Sequence, residues 1–161
     1  MTNSTATATE LLTVAIGKAR ELNSRIVGQE HVLLALAERP DSFGAELLVE
    51  LGLGSGISVL EMWITPGATA EPNPAPTVRL VKAVEEADAE ARESGRPATS
   101  ADLVIGIVRA GIGVGYQLLR AAGVTLAEAR SGLEKVTRPD GELASVVDSS
   151  LAAALAALSR D

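Results

Sequence analysis

The sequence predicts an all-α fold: a tandem, pseudo-two-fold repeat of two four-helix units, about eight helices in all. Three observations predict it. Apolar residues recur at helical spacing along most of the chain, and no stretch shows the strict alternation of a half-buried strand. The composition is 47% hydrophobic but only 2% aromatic, so the core is built from Leu, Val, Ile and Ala, which suits closely packed helices. The chain also repeats itself. AREL at 19–22 matches ARES at 91–94, an offset of 72, and GAELLVELGL at 44–53 matches GYQLLRAAGV at 115–124, an offset of 71. Gly44 pairs with Gly115, Leu47 with Leu118, Leu48 with Leu119 and Gly52 with Gly123, and one residue is missing from the second copy's first loop.

The first unit spans residues 7–64. Thr7 and Glu10 form a capping box that opens a helix running to about Asn23, with Leu11, Leu12, Ala15, Ile16 and Ala19 on one face. A second helix opens near Gln29, carries Val32, Leu33, Leu34 and Leu36, and is stopped by Pro40. A third runs from about Ser42 to Leu51, with Gly52 as its C-terminal stop. Ser58 and Glu61 predict a short fourth helix bearing Trp63. Residues 65–76, rich in proline and without periodicity, read as a linker and spacer. The second unit, 77–137, repeats the plan. A long helix covers about 77–94, with VEEADAEARE as its solvated face. The next begins near Ser100, the third ends at Gly123, and the last opens with a capping box from Thr125 to Glu128. Residues 138–161 form an Ala/Leu-rich tail, read as a short, weak helix. Phe43, Trp63 and Tyr116 are expected as core or half-buried plugs.

Composition also narrows the function classes. With no cysteine, disulfides, iron–sulfur clusters and thiol nucleophiles are excluded. The net charge of −7, without a Lys/Arg cluster or stacking aromatics, argues against a nucleic-acid partner. A cationic peptide or Arg-rich protein segment suits the charge better. The start, MTNSTATATE, lacks a basic segment followed by an apolar run, and no stretch approaches the roughly 18 apolar residues of a membrane span. The expectation is a cytoplasmic protein with no membrane partner. The glycine-rich GLGSGIS and GIGVGYQ lack the lysine of a phosphate-binding loop.

The stretch ARELNSRIVGQEHVLLALAE resembles the A-x-x-L-G-H-x-x-[IV]-G-T-E-H-[IL]-L-L-[GA]-L signature of the Clp N-terminal repeat. That repeat occurs twice in the N-terminal domain of ClpA/ClpC-type AAA+ unfoldases. Ala19, Leu22, Val27, Gly28, Glu30, His31, Leu33, Leu34 and Leu36 fit, while Gln29 replaces the usual Thr. The resemblance covers roughly residues 7–137. In the second copy Gly-Thr-Glu-His becomes Thr99, Ser100, Ala101, Asp102. The resemblance implies a free-standing, non-catalytic domain without ATPase modules or cofactor, which captures protein substrates, adaptors or peptide ligands linked to Clp proteolysis. In the ClpC branch the glutamate of each motif helps bind phosphorylated arginine. Here only Glu30 is retained, and Ala101 cannot pair with a guanidinium. Asp102 stands one residue on, about 100° around a helix. The candidate ligand-binding residues are therefore Glu30 and Gln29 in the first copy, and Ser100 and Asp102 in the second. By analogy with relatives that bind cyclic peptide antibiotics, a second expectation is a decoy that sequesters such peptides.

Glu30 and His31 admit other readings. As an enzyme pair they need a nucleophile or oriented water within reach, and neighbours on a helix point about 100° apart. No catalytic residue is assigned. Metalloprotease-type zinc spacing needs a second histidine at i+4, and position 35 is Ala, so no metal is expected. The structural reading puts Glu30 in a first helical turn, facing the helix dipole, and packs His31 between the repeats or bonds it to the backbone. For Glu30, capping and ligand-facing roles are compatible.

Overall fold

A computed structural model describes residues 8–40, 42–53, 74–95 and 98–136. Thr7, the expected helix with Ser58, Glu61 and Trp63, residues 65–73 of the linker and the 138–161 tail lie outside the described residues.

Helix α1 (Ala8–Glu21) buries the face its spacing predicts: Leu11, Leu12, Ala15, Ile16 and Ala19 are all inaccessible or nearly so. Strand β1 (Ile26–Val27) leads into α2 (Gln29–Ala37), in which every residue from His31 to Leu36 is buried. A helix apolar all round belongs at the centre of a domain. Helix α3 (Phe43–Glu50) follows, its first turn held by Ser42, whose hydroxyl accepts the Ala45 N–H at 3.1 Å. In the second unit, β2 (Ala75–Pro76) precedes α4 (Val78–Glu93), capped by Thr77. Helix α5 (Ser100–Ala110) is buried from Ser100 to Ile107 and is the counterpart of α2. Helices α6 (Val114–Ala121) and α7 (Leu126–Val136) complete the described residues. The box predicted for α7 is present: the Glu128 carboxylate accepts the Thr125 N–H, and the Thr125 hydroxyl accepts the Glu128 N–H. Phe43 is buried and Tyr116 half-buried.

Within each unit the first helix packs on the second, α1 on α2 and α4 on α5. The units interlock through their third helices. Helix α3 lies chiefly against α5 of the other unit, and α6 reaches back to α2. The repeat extends to the turns, where Asn23 and Gly95, 72 residues apart, both take positive φ.

Two departures from expectation stand out. The end of the linker is not a spacer. Ala75 and Pro76 pair in parallel with Ile26 and Val27, through bonds donated by the Ala75 and Thr77 N–H groups. Successive strand N–H groups point to opposite sides, so the one proline lacks faces away from the ladder. The acidic stretch of α4 is not simply solvated either. Val84, Ala87 and Ala91 are core, and Glu90 is 5% exposed. Its carboxylate binds Arg130 of α7 twice, at 2.9 and 3.0 Å, and Arg109 of α5 at 3.0 Å. Arg109 also pairs with Glu86 and Glu93. Hydrogen bonds from Arg130, above all, hold the Glu90 carboxyl below its ordinary value, against the opposing effect of burial.

The first unit carries the same joint with reversed polarity. Lys18 of α1 pairs with Glu38, just past α2. At offsets of 72 and 71 these positions correspond to Glu90 and Arg109. A cation in the first unit stands where an anion stands in the second, and the reverse holds for its partner.

Candidate functional site

The motif Gly28–His31 forms the start of α2. Gly28 is the N-cap, and its N–H donates to His31 Nδ1 at 2.9 Å. His31 is 1% exposed, too deep to touch a substrate, and its Nε2 has no hydrogen-bond partner among the described residues. Burial pushes the imidazole pKa down from its ordinary value, and the neighbouring Glu30 charge partly opposes this. Glu30, in the first turn, is half-exposed. Its carboxylate folds over Gly28, where an added Cβ would come within 2.6 Å of Oε1 and would turn the carboxylate aside. Among the described residues no cation pairs with Glu30.

Gln29 is only 2% exposed and joins three segments. Its Nε2 donates to the carbonyls of Arg79, at the start of α4, and of Ile112, before α6, at 3.2 and 2.9 Å. Its Oε1 accepts the Tyr116 N–H in the first turn of α6 at 3.0 Å. Ser100 stands at the equivalent place in the second unit and makes the reciprocal joint. Its hydroxyl accepts the Gly44 N–H in the first turn of α3 at 2.7 Å. The equivalent glycines make room for both joints. A Cβ on Gly44 would lie 2.8 Å from the Ser100 carbonyl, and one on Gly115 would lie 2.9 Å from Gln29 Cβ.

Asp102 is fully buried. It stands 71 residues after His31 and does the same work, its Oδ2 accepting the Thr99 N–H at 2.8 Å and the Thr99 hydroxyl at 3.3 Å. Ala101, in Glu30's place, is also buried. The structure thus brings Gln29 and Glu30 to one helix start and sets Ser100 and Asp102 at the equivalent start in the other unit. Of the four, only Glu30 offers a charged group to solvent; the polar atoms just named on Gln29, Ser100 and Asp102 are engaged within the chain. Around the Gln29 joint, Val78, Ile112 and Val114 are exposed aliphatics, Val78 at 83%. A separate hollow of about 310 Å³ lies between the end of α3, the α6–α7 turn and α7. Its Glu50 and Lys135 pair with each other, and its Glu128 serves the α7 cap.

The roles of Gln29 and Ser100 as joints were not anticipated. The matched Gly44 and Gly115 were the available signal, because glycine at equivalent places on two helices marks close approach. Replacing Gln29 with Ala is expected to cost about 2 kcal/mol, since it removes the partner of the Tyr116 N–H and of the Ile112 carbonyl, while the Arg79 carbonyl keeps its bond within α4. Ser100→Ala, which frees one N–H, is expected to cost about 1 kcal/mol. Urea unfolding of the two variants measures the difference.

Among the described residues no single helix is long and apolar enough to cross a membrane, and no group of three or more His, Cys, Asp or Glu side chains is placed to hold a metal ion.

Comparison with known proteins agrees with this architecture. The model of one protein family, the Clp repeat (R) N-terminal domain, matches residues 3–111. The negative regulator of genetic competence ClpC/MecB of Bacillus subtilis (strain 168) is 32% identical over 129 residues, covering 78% of this chain and 16% of that protein. The chaperone protein ClpB of Oceanobacillus iheyensis is 30% identical over 129 residues, with the same two coverages, 78% and 16%. The chain therefore spans about one sixth of the length of these relatives.

Proposed function

The chain belongs to the Clp repeat N-terminal domain family, and from that premise we propose that it is a non-catalytic binding module that captures a protein or peptide ligand through a cationic side chain held by Glu30. The observation that carries this is the contrast between the two helix starts. One presents a carboxylate that no cation pairs with among the described residues, and the other buries an alanine at the same place. Gln29 and Ser100 set the frame behind the contact by joining the two units, and Asp102 caps the start of α5. Val78, Ile112 and Val114 are exposed around the adjoining Gln29 joint, so a ligand carrying a basic residue and aliphatic ones suits this end of the domain. Substrates and adaptors of Clp proteolysis in the cytoplasm are the proposed source. With one carboxylate instead of two, phosphoarginine would be held at a single site.

Glu30→Ala tests the proposal. A partly exposed carboxylate with no cation partner among the described residues contributes little to folding, so stability is expected to stay within about 0.5 kcal/mol. Affinity for an arginine-rich peptide is expected to fall about tenfold or more, the loss of one charge-assisted contact. Unchanged affinity would refute the site. A pull-down from lysate, run beside the Glu30→Ala variant, identifies the partners. Recovery of no Clp subunit, adaptor or arginine-phosphorylated protein would count against the Clp link.

The exposed aliphatics favour one second reading, a decoy that sequesters apolar cyclic peptides directed at Clp unfoldases. Micromolar or tighter binding of such a peptide, unaffected by Glu30→Ala, distinguishes it.

A further inference from the structure

We propose that His31 makes the start of α2 an acid-labile joint, in which a proton added at Nδ1 breaks the bond accepted from the Gly28 N–H and releases the segment that carries Glu30. The local part of this stands on geometry alone; its consequence for ligand release rests on the reading of Glu30 given above.

A ring nitrogen that accepts a hydrogen bond carries no proton, so the neutral ring holds its proton on Nε2. Protonation at Nδ1 would set two N–H groups against each other across the present 2.9 Å. Nothing repays that loss. Nε2 already has its proton and finds no acceptor among the described residues, and the cation would lie in a site that is 1% exposed. The charged groups on the elements packed against α2 include Lys18 of α1, Glu46 and Glu50 of α3, Arg79 of α4, Asp102 of α5 and Arg120 of α6. The influences that set the ring's value are burial, which lowers it, and the Glu30 carboxylate on α2 itself, which partly opposes burial.

The direction follows from linkage. With the ring's value in the fold lowered from 6.5, neither the closed nor the open form binds a proton well above that pH. As pH falls below it, the open form takes up the proton first, and the closed joint loses stability until its own lower value is passed. The second unit contains an internal control. There the same bond, to the Thr99 N–H, is accepted by the Asp102 carboxylate, which offers no N–H that could turn against the donor.

Amide hydrogen exchange on the whole chain, resolved by NMR from about pH 7.5 to about pH 5, tests the joint. Protection of the Gly28 amide is expected to fall about tenfold or more as the His31 ring titrates, while that of Thr99 holds within about twofold. In His31→Asn, whose side-chain oxygen can accept the same bond without titrating, Gly28 is expected to stay protected throughout. Should that variant fail to fold, the comparison of Gly28 with Thr99 in the unaltered chain decides alone. Equal behaviour of the two amides, or a ring proton found on Nδ1 at neutral pH, overturns the proposal. A labelled hexa-arginine peptide tests the consequence. Binding about tenfold weaker near pH 5.5 than near pH 7.5, with the loss absent in His31→Asn, supports it. Undiminished binding while the Gly28 amide opens overturns the coupling. If Glu30→Ala binds the peptide as well as the unaltered chain at neutral pH, the ligand reading fails, and the amide comparison still decides the joint.

Discussion

Gly106→Ala is expected to destabilise the protein by about 3 kcal/mol, the upper part of the range for an overpacked core. Gly106 lies in α5, where the backbones of α4 and α5 come into contact. A Cβ there would meet the Ala83 carbonyl oxygen, the Ala87 nitrogen at 2.8 Å and the Ala87 Cβ at 2.9 Å. Two of these atoms are backbone and the third is fixed to it, so no side-chain rotation relieves the clash. The helices must separate, and much of the core is in this contact. On intrinsic propensity the same change in a helix interior is stabilising by about 0.5–1 kcal/mol. Gly17→Ala in α1, where a Cβ would have nothing within 4 Å, is expected to show that gain. Urea denaturation of the two variants should therefore move in opposite directions. Matching shifts would mean that α4 and α5 are not in backbone contact.

Glu90→Gln is expected to cost about 2–3 kcal/mol, below the 3–5 kcal/mol for breaking a fully buried pair because Arg130 is half-exposed. The neutral amide cannot serve Arg130 twice and Arg109 once, and Arg109, with 18% of its side chain exposed, stays largely out of water. The loss should depend on pH. The folded-state value of Glu90 lies below its ordinary 4.5, so its contribution is fully present above that value. It is lost as pH falls through the lower, folded value. The unaltered protein should therefore lose stability more steeply below about pH 4.5 than Glu90→Gln does, and the gap between them should narrow in acid. A gap that stays constant across that range would argue against the ion-pair account.

Much of the architecture was legible because it rests on local rules. Helical spacing identified the buried face of α1, Ser42 and Thr125 marked helix starts, and the offset of 71–72 located the counterparts of α2 and α3. The misreadings concern pairings that local rules do not contain. Glu90 reads as one more acid on a charged helix until Arg109 and Arg130 arrive from elements 19 and 40 residues away. Ala75 and Pro76 read as linker because two-residue strands leave no alternation to detect. At the candidate site the motif and its repeat point to Glu30, Gln29, Ser100 and Asp102, but they carry no information on how deep each side chain lies. Whether a polar side chain at a helix start faces water or a neighbouring helix depends on what packs there. In this fold the neighbours of Gln29 and Ser100 come from the other unit.

The reversed ion pair has a consequence for assembly. A chain with two similar halves risks folding with the first helix of one half in the berth of the other, or exchanging that helix with a second molecule. Were α1 to take the place of α4 against α5, Lys18 would face Arg109, and α4 against α2 would set Glu90 beside Glu38. Each exchange brings like charges together at a joint where Lys18 and Arg109 are mostly shielded from solvent, and like-charge juxtaposition penalises the wrong partner. The two units carry opposite electrical labels at otherwise interchangeable seats, so each long helix is directed to its own half.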